Sequence, residues 1–170
     1  INTPAVPSDP AKIEKYCYGN NPDICSGANG NMHPTYGDGG LYTWDEAMQG
    51  STTAGAQGIC PAGWHIPTDA EQWTLENYLT EAPNMCDASR SGGACSPASV
   101  KLRPNGISGF EANLAGLYSG IFNWNGFLAY FWSSSESGSN AWRRSMNTTS
   151  DMVGRAAQSK MYGMSVSCLQ

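Results

Sequence analysis

Charge is scarce in this sequence, with Asp, Glu, Lys and Arg making up 14% of 170 residues. Histidine is scarcer still, with only His33 and His65. There is no long apolar run, no Cys-x-x-Cys, no internal repeat and no low-complexity tract. Each absence removes a class of function. Without an apolar run of bilayer length there is no membrane span. Without paired Cys-x-x-Cys units, two histidines are a poor basis for structural zinc. The charge is also uneven. The 11 acids before residue 100 face 3 bases, and from Lys101 onward 3 acids face 6 bases. Six scattered late bases do not make a phosphate-tracking groove, so no nucleic acid partner is expected.

What is present is cysteine, aromatic residues and turn formers. Cys17, Cys25, Cys60, Cys86, Cys95 and Cys168 are even in number and read as disulfides, which places the chain outside the reducing cytosol. Cys17–Cys25 and Cys86–Cys95 are expected as local staples around Gly-, Asn- and Ser-rich loops, leaving Cys60–Cys168 to tie the middle of the chain to its end. Free buried thiols or another pairing are the alternative. The chain starts at Ile1 without a signal peptide, and reads as a processed product or a piece trimmed of its export or anchor segment.

Residues 1–12, with Pro4, Pro7 and Pro10, read as an arm or linker, and 13–170 as one domain. Thr43-x-x-Glu46 and Thr68-x-x-Glu71 have capping-box spacing. The first opens a short helix through Trp44, Ala47 and Met48. The second opens a longer one to about Leu79, with Leu75, Tyr78 and Leu79 on one face and Pro83 as its stop. After Cys95 nothing reads as helical. Short aromatic runs alternate with turns at Ala115–Tyr118, Ala129–Trp132, Asn140–Arg143 and Tyr162–Cys168, the last with Met164, Val166 and Cys168 on one face. The fold class is α+β, with two helices early and then an irregular antiparallel sheet with long loops.

Several segments together resemble the Fibrobacter succinogenes major paralogous domain. They are Gly40-Leu-Tyr-Thr-Trp-Asp-Glu-Ala-Met48, Gly58-Ile-Cys-Pro-Ala-Gly-Trp-His-Ile-Pro-Thr-Asp69 with its extension to Glu71, Phe131-Trp-Ser-Ser-Ser-Glu136, Asn140-Ala-Trp142, and Tyr162-Gly-Met-Ser-Val-Ser-Cys168. The likeness runs in register from about Lys12 to Leu169. It implies a C-type lectin-like fold of the formylglycine-generating-enzyme branch, on exported bacterial surface proteins that include pilin-like ones. The variable proteins of diversity-generating retroelements have similar C-terminal segments, their hypervariable stretch matching about Gly120 to Cys168. Two positions depart from the family pattern. Trp73 comes one residue later than the usual Trp, which leaves its packing face open. Ser167 stands where Arg often precedes the last Cys, so any anchoring role of that Arg is lost.

Four functions follow for weighing. Catalysis needs a converging nucleophile, base and acid. Here His33 lies in a turn and His65 reads as a packed structural residue, so no enzyme is expected. The related copper-dependent enzymes need a cysteine pair that is here assigned to disulfides. Calcium would draw on Asp38, Asp45, Glu46, Glu136 and Asp151, but no dense ligand loop appears. No cofactor is expected, with room only for a structural calcium ion at one turn. A recognition face is the third reading. Asn123, Trp124, Asn125, Ser137, Ser139, Asn140, Arg143, Arg144, Asn147, Thr149, Arg155 and Tyr162 have the aromatic, Arg, Ser and Asn make-up of contact surfaces. Trp132 and Trp142 are instead expected in the core, and the sequon Asn147-Thr148-Thr149 is discounted. Ala at Trp124, Arg143 and Arg144 is expected to abolish binding at nearly unchanged stability. The fourth reading is a pilus or surface-filament subunit, with residues 1–12 docking on a neighbour. The preferred expectation is an extracellular or cell-surface, non-enzymatic adhesion domain. Its partner would be a protein or glycan on another cell, phage or host surface, with self-assembly into a filament as the alternative.

Overall fold

The computed structural model describes residues 13–26, 39–81 and 83–170. The expected arm at 1–12, His33 and Asp38 lie outside the described residues. The order is α1 (Pro22–Ser26), α2 (Trp44–Ala47), α3 (Asp69–Leu79), β1 (Gly92–Ala94), α4 (Ala98–Leu102), β2 (Leu117–Tyr118), β3 (Phe122–Asn123), β4 (Leu128–Ser137), β5 (Asn140–Asn147) and β6 (Val153–Ser159). β1, β6, β5 and β4 form one antiparallel sheet in that order, and β2 and β3 a separate hairpin. This is a mixed helix and antiparallel-sheet architecture. Among the described residues no helix is long and apolar enough to cross a membrane.

The two cap signals behave differently. Thr68 and Glu71 form a complete reciprocal box: Thr68 Oγ1 accepts from the Glu71 amide while Glu71 accepts from the Thr68 amide. At α2, Thr43 Oγ1 accepts from the Glu46 amide, but the Glu46 carboxylate reaches away to the Glu14 amide. That second acid therefore ties the N-terminal segment to the domain rather than closing its own helix.

Helix α3 corrects the expected face. Tyr78 is 84% exposed and Leu75 also faces solvent, whereas Glu76 is 2% exposed and Leu79 is buried. The inward stripe is Asp69, Gln72, Glu76 and Leu79, because the sheet beneath presents two arginines. The helix ends at Leu79, as expected, with Thr80 as its cap. A second correction is α4, a short helix in a region read as non-helical; it buries Ala98, Ser99 and Leu102. The segment 162–168 makes isolated bridges rather than a strand, through Tyr42↔Met164, Phe131↔Ser165 and Tyr118↔Gly163. It covers the free edge of β4.

Three disulfides join Cys17–Cys25, Cys60–Cys168 and Cys86–Cys95, the pairing expected from the spacing. Two main cores flank the sheet. One gathers Leu79, Leu102, Leu114, Phe131, Met146 and Val153, and Trp73 packs against it with its indole N–H donating to the Cys86 carbonyl at 2.7 Å. That answers the question left by its shifted position. The other holds Trp44, Met48, Ile66, Trp132 and Met164, and Cys168 lies against it. Trp132 is thus core as expected, while Trp142 is only half-buried, beneath the Arg155 guanidinium at 3.5 Å.

Candidate functional site

The segment Phe131–Glu136 is a hydrogen-bonding hub. A register irregularity between Trp132 and Glu136 breaks the pairing with β5 and frees the serines to turn inward. Ser133 Oγ donates to the Trp142 carbonyl, and the Ser133 carbonyl accepts from the Trp44 indole at 2.8 Å. Ser134 Oγ accepts from the Gly55 amide, and its own amide donates to Pro67. Ser135 Oγ accepts from the Asp69 amide at the start of α3. The Trp132 indole donates to Tyr42. The amides of Gly55 and Asp69, the Trp44 indole and the carbonyls of Tyr42, Pro67 and Trp142 are thereby satisfied by one strand, as burial demands. The Gly58–Asp69 segment is the other half of this frame. A Cβ on Gly58 would fall 2.2 Å from the Ala47 carbonyl oxygen, so only glycine permits the approach to α2. Both motifs are thereby accounted for as scaffold.

Beneath α3 lies a buried ion network. Arg144 is 3% exposed and pairs with Glu76 and with Asp69, the latter at 2.6 Å. Arg155 grips Asp69 through two nitrogens, at 2.7 and 2.9 Å, and Arg90 pairs with the other side of Glu76. Burial alone would raise the Asp69 carboxyl pKa, but hydrogen bonds and charge from Arg155 and Arg144 hold it below its ordinary value. This corrects the expectation that Arg144 and Arg155 belong to a solvent-facing contact surface. Their charges are taken up in fixing the helix to the sheet.

The other expected contact residues fall into separate places. Ser137, Ser139 and Asn140 form the β4–β5 turn, and Tyr162 is near them, its amide bonded to Ser159, which pairs with Asn140. Asn123, Trp124 and Asn125 lie towards the other end of that hairpin, with Asn147 and Thr149. There the Thr148 amide donates to Phe127, and Asn147 Oδ1 shapes the turn by accepting from Thr149 and Ser150. Arg143 stands between the two ends on the outer sheet face. The structure therefore does not gather the whole set into one patch.

At the Trp124 end the geometry is distinctive. Trp124 is 56% exposed and adopts a left-handed backbone, φ 66°, which a bulky side chain rarely takes. Its carbonyl accepts from both Phe127 and Leu128, and Gly126 donates to Leu114. Gly116 lies under the loop so closely that a Cβ there would sit 2.1 Å from the Asn123 carbonyl oxygen. Ile121 and Phe127, which the sequence reading did not single out, are also exposed. The Asn125-Gly126 turn signal between aromatics was the clue to them. Beside this loop runs a groove of ≈ 610 Å³ between residues 100–107 and 113–114, with Thr148 and exposed Ile107 on its wall.

His65 Nε2 lies 3.1 Å from both oxygens of Glu71, and its backbone bridges to Leu169. The acids weighed for calcium are dispersed. Asp45 is exposed, Glu46 takes the Glu14 amide, Glu136 pairs with Lys160 and Asp151 accepts from Ser96 Oγ. Glu76, Cys86 and Cys95 do converge, but both sulfurs are in the disulfide and Glu76 is held by two arginines.

Residues 3–170 match the model of the Fibrobacter succinogenes major domain, and the chain belongs to that family. No curated protein and no solved structure matches it.

Proposed function

We propose that this chain is an extracellular, non-enzymatic binding and adhesion domain with a C-type lectin-like fold. It meets a protein or glycan on another surface through the loop that carries Trp124. One observation carries this reading: a large aromatic is held in a left-handed conformation, exposed, on a loop fixed by hydrogen bonds on both sides. Strain of that kind costs about 1–3 kcal/mol and persists where surrounding structure imposes it, often at ligand contacts. Ile121 and Phe127 widen the patch, giving the rigid aromatic anchor with polar neighbours that recognition surfaces favour. Three disulfides suit an oxidising, exported setting.

The test compares the purified chain with its Trp124→Ala variant for binding to intact bacterial and host cells and to a glycan array. Binding that is saturable and lost in the variant, with melting unchanged, supports the proposal. Equal binding by both chains contradicts it. Negative-stain microscopy over a concentration range belongs beside it. Regular filaments that disappear in Trp124→Ala would reassign the patch to assembly of a surface filament.

A further inference from the structure

Among the described residues Arg143 is a cation without an anion. Side chains alternate along β5, so Arg143 points away from the buried network that holds Arg144. Among the described residues Arg90, Arg144, Arg155, Lys101 and Lys160 each meet a carboxylate, Arg103 donates to the Asn147 carbonyl, and Arg143 meets no carboxylate. Its Nη1 donates to Ser145 Oγ at 2.5 Å, and its guanidinium lies 5.1 Å from the centre of the Tyr130 ring. Its Nε is buried without a partner. Desolvation pulls its pKa below the ordinary arginine value, the expected direction for a charge taken from water without compensation.

The space in front of this side chain is kept open by glycine. Gly154 on β6 pairs with Ser145, and a Cβ there would fall 2.5 Å from Ser145 Oγ and 3.7 Å from Arg143 Nη1. Gly93 on β1 pairs with Gly154 in turn. The result is an open groove of ≈ 270 Å³ whose polar lining residues are Arg143, Ser145, Asn147, Ser150 and Arg155, with the Met152 side chain over Gly93. Its size suits one sugar ring rather than a polymer segment.

We propose that this groove is a subsite for the carboxylate of an acidic monosaccharide unit, a uronic-acid type of ligand. The guanidinium gains the charge-assisted partner that it lacks in the free chain, and the hydroxyl and amide side chains beside it match sugar hydroxyls. The proposal rests on the reading of the chain as a binding domain and names the ligand chemistry of a second part of its surface. From Arg143 to Thr148, which is bonded to the Trp124 loop through Phe127, the strand advances about 17 Å. The guanidinium end of the groove is therefore separable from the Trp124 loop, which the groove approaches only at Asn147 and Ser150.

The experiment titrates D-glucuronate into the isotope-labelled chain at low salt and follows the amides of Ser145 and Gly154 and the Arg143 side-chain N–H by NMR. Glucose and sulfate serve as comparators. The expected result is saturable shifts with glucuronate and not with glucose, at least tenfold weaker in Arg143→Gln. Gly154→Ala should weaken binding as well, and because that variant crowds Ser145, Arg143→Gln with an unchanged melting curve is the deciding one. Absence of saturation, an equal response to glucose or sulfate, or full binding by Arg143→Gln overturns the proposal. Trp124→Ala should leave the titration unchanged, so a failed groove with intact Trp124-dependent cell binding removes only this inference.

Discussion

Trp124 and Trp132 sit in similar company, each beside small polar residues, and they end in opposite situations. Trp132 is fully buried, and the serines after it turn inward to satisfy the backbone of the Gly55, Pro67 and Asp69 segments. Trp124 is more than half exposed, and Asn123 beside it braces a loop whose backbone is strained. The difference comes from what each segment is placed against. The first has two helix entries and a disulfide-tied loop to hold. The second rests on the bare backbone of Gly116, and Trp124 is 56% exposed. Polar composition around an aromatic thus serves a frame in one place and surrounds an exposed ring in the other.

The frame should carry the large energies. Replacing both Cys60 and Cys168 by Ala opens a link of sequence separation 108, and chain entropy predicts a loss of about 4–5 kcal/mol in denaturant unfolding. Arg144→Met leaves Glu76 and Asp69 short of a partner in the interior. It should cost about 3–5 kcal/mol, in contrast to the near-neutral outcome expected for a surface arginine. Ser134→Ala strips the Gly55 amide of its acceptor and should cost about 1–3 kcal/mol.

Acid supplies a further probe of the frame. The Asp69 carboxyl is held below its ordinary pKa in the fold, so its contribution is present above the unfolded value of about 3.9. It is lost as pH falls through the lower folded value. Melting temperature should therefore drop below about pH 4, with a shallower slope in Asp69→Asn. Smallest of all is the display loop. Trp124→Gly should leave stability unchanged or raise it by about 1 kcal/mol, since glycine accepts the left-handed backbone freely. A loss comparable to that of Arg144→Met would erase the contrast between the two regions.

The starts of α2 and α3 and the two short disulfides were legible because each rests on local chemistry, a Thr three residues before a Glu or cysteines flanking a turn-rich loop. Cys60–Cys168 followed as the pair left over, and the α+β class from these helices and the aromatic runs after them. The buried face of α3 was not, because periodicity searches look for apolar residues. Here Asp69 and Glu76, two turns apart, are the ones turned inward. The unequal distribution of charge was the available signal, since Asp69 and Glu76 from the acidic half meet Arg144 and Arg155 from the basic half. Strand β6 went unseen because Val153-Gly-Arg-Ala-Ala-Gln-Ser159 has no aromatic and its partner β1 hides inside the Cys86–Cys95 loop. Among the expected contact residues, the exposure of Trp124 was readable from its Asn-Trp-Asn-Gly setting. Arg143 and Arg144 could not be told apart until the strand direction assigned them to opposite faces.

The central claim is that Trp124 is held out of the core, against backbone preference, for display. The melting temperature of Trp124→Gly beside the wild-type chain tests it most directly. The account predicts a value equal to or a few degrees above wild type. A fall of several degrees would make Trp124 a structural residue and contradict it.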